Sequence, residues 1–108
     1  MNDHVKRPEE CTNMQHIRTE IDRIDRQVIA LFGERLDYVH VAAKFKTSEA
    51  SIRALDRVEA MLENRKLWAV EEWLQPDFVA QLYTDLIGYF THLEMSTWRP
   101  GTSSSDPS

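Results

Sequence analysis

Apolar residues recur along the first half of the chain at alternating steps of four and three. From Ile17 the series runs Ile17, Ile21, Ile24, Val28, Leu31, Arg35, Tyr38, Ala42, Phe45. That spacing predicts a long helix packed against other helices. One charge, Arg35, interrupts the stripe. A cation on a packed face is costly unless an anion meets it, and no acid on the stripe supplies one. Arg35 therefore points to an anionic ligand, or else its stem lies along the apolar face while its head reaches water.

The helix start is marked by Thr12 and Gln15, which fit a capping box just before Ile17. The first helix is predicted over 13–46, with no internal proline and Gly33 as its weak point. Residues 47–55, TSEASIRAL, break the pattern and read as a loop. A second helix is predicted over 56–70, with Val58, Met61, Leu62, Leu67 and Trp68 apolar. The connection WLQPDF follows. Pro76 suits the first turn of a third helix and Asp77 its positive end, so that helix is predicted over 76–98. The polar residues 1–11 read as a loose arm. The Pro/Gly/Ser-rich residues 100–108 read as a disordered tail. Residues 1–99 are then one all-α domain of three helices.

The first helix is too long for a monomer. About 34 residues at 1.5 Å each span roughly 50 Å. A compact chain of this size has a radius of gyration near 13 Å. Two shorter helices cannot cover such a stripe, so an intertwined homodimer is expected.

Composition narrows the function. The chain has 108 residues and a formal net charge of −5. That balance argues against nucleic acid and requires local cations for any anionic ligand. There is no apolar run of membrane-span length and no signal-peptide core, which favours the cytoplasm. Cys11 is alone, so no internal disulfide can form. His4, His16, His40 and His92 have no metal-ligand spacing, and no phosphate loop or nucleophile motif is present. No metal or cofactor is expected.

Four charged residues remain as candidates. Lys46 follows Arg35 by eleven positions, which on a regular helix returns to nearly the same face about 16 Å away. The two heads could hold a small dianion, or Lys46 could simply serve the helix C-terminus. Glu94 shares the apolar face of Ile87 and Phe90 in the third helix, unless that helix frays early. Arg18 lies about 25 Å before Arg35 and could reach the same site only from an antiparallel partner. It could instead pair with Asp22 one turn on. Periodicity alone stops at a helical dimer with an anion pocket.

The stretch CTNMQHIRTEIDRIDRQVIALFGERLDYVHVAAKFK resembles the first helix of the all-α chorismate mutase class. Within that class the chain is most similar to the isochorismate-pyruvate lyases of salicylate and siderophore synthesis, over residues 8–99. The similarity is carried by PEECT, IDRID, LDYV followed by FK, and the pair Trp98-Arg99. The resemblance implies an intertwined dimer with two sites. It casts Arg18 as the arginine that crosses from the partner and Arg35 as a carboxylate binder. It casts Lys46 as the contact to a carboxylate and the ether oxygen. A helix-three glutamine commonly assists there in these lyases. The matching residue is Glu94, which donates a hydrogen bond only when protonated.

Typical bacterial mutases carry a loop aspartate and a helix-two Arg-Glu pair, whose acids hold the C4 hydroxyl of chorismate. The matching positions are Ala54 and Arg57-Val58. With the acids gone, a substrate bearing its hydroxyl at C2 fits better, and Arg57 can add a carboxylate contact. The implied reaction moves hydrogen from C2 of isochorismate to the enolpyruvyl methylene as the C3–O bond breaks. It yields salicylate and pyruvate and needs no cofactor. Two other readings stay open: a chorismate mutase making prephenate, also as a side activity, and a non-catalytic helical dimer that binds an aromatic acid.

Overall fold

A computed structural model describes residues 5–98 of the chain. The expected tail at 100–108, and Arg99, lie outside the described residues. Four α-helices follow a short 3-10 turn at Pro8–Glu10: α1 (Met14–Ala43), α2 (Glu49–Arg53), α3 (Leu55–Glu71) and α4 (Pro76–Thr97). No strand occurs among the described residues. No helix among them is long and apolar enough to cross a membrane. The chain divides into two compact units at Asp37 and Tyr38, and α1 runs through the division.

In the first unit the chain enters α1 through Asn13, not Thr12. The Asn13 side-chain oxygen accepts from the backbone N–H of His16 at 2.9 Å. Asparagine is among the strongest cap formers, which is why the cap falls one residue later than the Thr12–Gln15 reading. The backbone N–H of Thr12 instead donates to His16 Nδ1 at 3.1 Å. The described part of the arm, residues 5–11, is tied to α1 at Lys6, whose backbone N–H donates to Glu20 at 3.1 Å, while residues 1–4 lie outside the described residues. No residue of α1 is buried. Ile17, Ile21, Ile24, Val28 and Leu31 are 39–61% exposed, so the apolar stripe is formed but uncovered within the single chain.

In the second unit α1 ends at Ala43, three residues earlier than predicted. Three i→i−3 bonds tighten the chain beyond it: Lys44 to Val41, Phe45 to Ala42 and Lys46 to Ala43. Such bonds satisfy the last carbonyls of a helix. The chain must leave the helix there, because Ser48 takes an extended backbone as the cap of α2. The regular 100° step that placed Lys46 on the stripe therefore stops at Ala43.

The reading of 47–55 as a loop is corrected by α2. Ser48 accepts from the backbone N–H of Ser51, whose own hydroxyl accepts from the backbone N–H of Ser48. This reciprocal cap forms a helical turn from a polar stretch with no apolar period. Ile52, 5% exposed, anchors the turn. α3 and α4 pack side by side and bury Met61, Ala69, Val79, Phe90 and Glu94. The Arg65 guanidinium lies 4.7 Å from the Trp68 ring centroid and 5.2 Å from that of Tyr83.

α3 closes in a Schellman motif. The N–H of Trp73 bonds the Val70 carbonyl at 3.1 Å and that of Leu74 bonds the Ala69 carbonyl at 2.8 Å. The motif needs a left-handed residue, and here Trp73 takes it with φ 63° and its side chain 94% exposed. A non-glycine residue there costs about 1–2 kcal/mol. Trp73→Gly removes that strain and returns part of it as unfolded-chain entropy. It is expected to stabilise the protein by about 0.5–1 kcal/mol. Urea unfolding at fixed protein concentration checks this, and a clear loss of stability would show that the Trp73 side chain is packed in the working molecule.

Candidate active site

The site residue that stands out physically is Glu94. It is 5% exposed, the one buried charged side chain among the described residues. Its burial follows from its place on α4, one turn past the buried Phe90. A carboxylate in that position needs a partner. Lys46 provides it, with Nζ 3.1 Å from Glu94 Oε2. The lysine side chain is itself 26% exposed.

The main chain around this pair is fixed from one residue. Trp98 Nε1 donates to the Lys46 carbonyl at 3.3 Å, while the Trp98 backbone N–H donates to the Glu94 carbonyl at 2.9 Å. Sequence reasoning singled out Trp98 only as part of a motif. The contact joins residues 52 positions apart, and no local pattern signals it.

A groove of about 350 Å³ runs beside α4. Leu55, Val58, Ile87, Gly88 and Met95 give it an apolar lining, with Arg53, Thr84, Thr91 and His92 adding polar groups. Val58, the position matched to a mutase acid, faces this groove. Ala54 sits between α2 and α3 with φ 39°. Arg57 is exposed on α3 and does not line the groove, whereas Arg53 does. The Arg53 head also meets Glu49 at 3.3 Å, an exposed pair of small energetic weight. Arg53 lay in the stretch read as a loop, so no helical face drew attention to it.

Arg18 and Arg35 both lie on α1, in the first unit. Seventeen residues of helix separate them by about 25 Å. They cannot converge within one chain. Arg18 is exposed and Arg35 half-buried. The Cys11 thiol lies 3.7 Å from the Arg7 carbonyl, and its backbone N–H donates to the Pro8 carbonyl at 3.2 Å. No group of three His, Cys, Asp or Glu side chains among the described residues is placed to hold a metal.

Comparison with known proteins bears on this arrangement. The profile of the family described as chorismate mutase type II matches residues 17–95. The chain is 43% identical over 95 residues to a protein named isochorismate pyruvate lyase from Pseudomonas aeruginosa, covering 88% of this chain and 94% of that one. It is also 36% identical over 67 residues to a protein named T-protein from Haemophilus influenzae, covering 61% of this chain and 18% of that one.

The buried pair makes an energetic prediction. Lys46→Met leaves the Glu94 charge without its cation and should cost about 3 kcal/mol. Adding Glu94→Gln removes the stranded charge and should restore more than half of that loss. Urea unfolding of both variants at one protein concentration gives the comparison. Equal losses in the single and double variants would mean that another group meets the Glu94 charge.

Proposed function

Because the chain belongs to the type II chorismate mutase family, we propose that it is an isochorismate-pyruvate lyase working as a homodimer with shared sites. The observation that carries the lyase reading is the 43% identity, across nearly the whole of both chains, to a protein of that name. One position of the groove agrees with it: Val58, which the resemblance matches to a hydroxyl-binding acid of mutases, is part of the lining, although Ala54, Lys46 and Glu94 are not. Valine at that position offers no carboxylate to a C4 hydroxyl, which favours a substrate whose hydroxyl is at C2.

The reaction asks for shape and charge rather than a nucleophile. Hydrogen passes from C2 of isochorismate to the enolpyruvyl methylene while the C3–O bond breaks. The ring becomes aromatic as salicylate, and the released fragment is pyruvate. Atoms and electrons balance within the substrate. Negative charge grows on the ether oxygen, and a fixed cation facing it lowers the barrier. Lys46 fills that role. Glu94 sets the position of the Lys46 head and, when protonated, donates to the same oxygen. Arg35 and the partner's Arg18 bind the carboxylates and hold the substrate folded. Arg57 and Arg53 are further cations on the same chain's second unit.

The dimer rests on the uncovered face of α1. A stripe of Ile17, Ile21, Ile24, Val28 and Leu31 is costly in water, at about 25 cal/mol per Å² left exposed. The buried hydrophobic core of the described chain is also small: Ile52, Met61, Ala69, Val79 and Phe90. A second copy covers the stripe with the same stripe. It also brings an Arg18 to a site that its own chain cannot reach.

A second reading, chorismate mutase, is favoured by the family profile. Supplying isochorismate and chorismate in turn separates the two. Turnover of isochorismate to salicylate and pyruvate should exceed conversion of chorismate to prephenate. Prephenate without salicylate would reverse the assignment, and binding without turnover of either would leave a non-catalytic aromatic-acid binder.

The shared site has its own test. Sedimentation equilibrium should give twice the chain mass. Arg18→Ala and Arg35→Ala homodimers should each be nearly inactive. Unfolded and refolded together in equal amounts, half the dimers are mixed, and each mixed dimer holds one intact site. About a quarter of the starting activity should therefore return. Absence of recovery in confirmed mixed dimers would remove Arg18 from the partner's site.

A further inference from the structure

Trp98 is the last described residue and the C-cap of α4. Its backbone is extended, with φ −75° and ψ 141°, so the helix stops there. Two hydrogen bonds leave it in two directions. The backbone N–H closes the last turn of α4 onto the Glu94 carbonyl at 2.9 Å. The indole N–H donates to the Lys46 carbonyl at 3.3 Å. Lys46 itself lies beyond the end of α1, held to it only by an i→i−3 bond from its N–H to Ala43 at 3.2 Å. Chain just past a helix end frays, and the Lys46 carbonyl has no place in a helical ladder.

We infer that Trp98 is a positioning residue for the reaction, its indole and backbone amide fixing the main chain at Lys46 and at Glu94 together. The inference rests on the reading of Lys46 and Glu94 as the pair that faces the ether oxygen. The side-chain contact between them spans 3.1 Å and involves long, flexible chains. Such a contact sets the distance between heads but not where the pair sits. Trp98 adds the missing constraint, because it ties both backbones to one residue. A displacement of about 1 Å at a catalytic group can cost on the order of a hundredfold in rate. A cation that acts in the transition state shows its misplacement in kcat more than in KM. The chain has three tryptophans, and the other two, Trp68 and Trp73, are 51% and 94% exposed. Trp98 is half-buried.

Two measurements on the full-length dimer test this. The first follows hydrogen exchange of the three indole N–H groups by NMR of 15N-tryptophan-labelled protein. Trp98 should exchange at least tenfold more slowly than Trp73. Equal exchange would remove the indole bond and overturn the inference whatever the activity. The second compares wild type with Trp98→Phe, which keeps an aromatic ring and removes the donor. With isochorismate, kcat should fall about tenfold while KM stays within twofold and the thermal midpoint within a few degrees. Full kcat in Trp98→Phe beside an active wild type overturns the inference. A kcat loss that appears only with a large drop in thermal midpoint, and vanishes when activity is referred to folded protein, also overturns it, since that marks a packing role. An inactive wild type rejects the lyase reading instead and leaves the exchange measurement to decide the indole bond.

Discussion

The contact between Lys46 and Glu94 is the constraint around which the second unit is organised. A carboxylate 5% exposed inside a helical pair is tolerated only with a cation in reach. That cation comes from a segment 48 positions away in sequence. Much of the local structure serves to deliver it: the tightened end of α1, the early stop at Ala43, and the indole of Trp98 on the Lys46 carbonyl. A hydrophobic pair of similar volume would cost the fold less. Retaining a charged pair makes sense where a charge is needed for something else. In the lyase reaction proposed for this chain, that use is at the ether oxygen.

The two units show opposite economies. In the second, α3 and α4 pack on each other and bury Met61, Ala69, Val79 and Phe90. In the first, α1 displays an apolar stripe and buries nothing. In the proposed homodimer the first unit acquires a core only by association, so folding, pairing and completion of the site become one event. The activity of such a dimer would depend on concentration even where its catalytic groups are unaltered.

Much of this was legible in the residues. The alternation of three and four steps gave α1, and Pro76 with Asp77 gave the start of α4. The face shared by Ile87, Phe90 and Glu94 places the carboxylate in an apolar setting. What escaped had physical reasons. α2 is held at its N-terminus by a Ser48–Ser51 capping box and has a single apolar anchor, so it carries no period to read. Ala54 and Trp73 take left-handed backbones that glycine or asparagine usually fill, and neither residue type announces it. The cap at Asn13 was misread by one position because two good cap residues stand side by side. Arg57 was named from resemblance, while Arg53 lines the groove from a segment that looked irregular. The Trp98–Lys46 contact joins a side chain to a distant carbonyl, a class of interaction with no sequence signature at all.

The self-capped turn of α2 also sets where the structure can breathe. Five residues are far below the length at which a helix holds itself in water. Its hold comes from the Ser48–Ser51 exchange of hydrogen bonds and the burial of Ile52, with the exposed Glu49–Arg53 pair adding little. Releasing one isoleucine costs only about 1.5–3 kcal/mol, well under the free energy of unfolding a whole domain. Residues 49–53 can therefore open as a unit of their own while α3 and α4 stay packed. Arg53 travels with that unit, so one wall of the groove is set by a local equilibrium, not by the global stability of the fold.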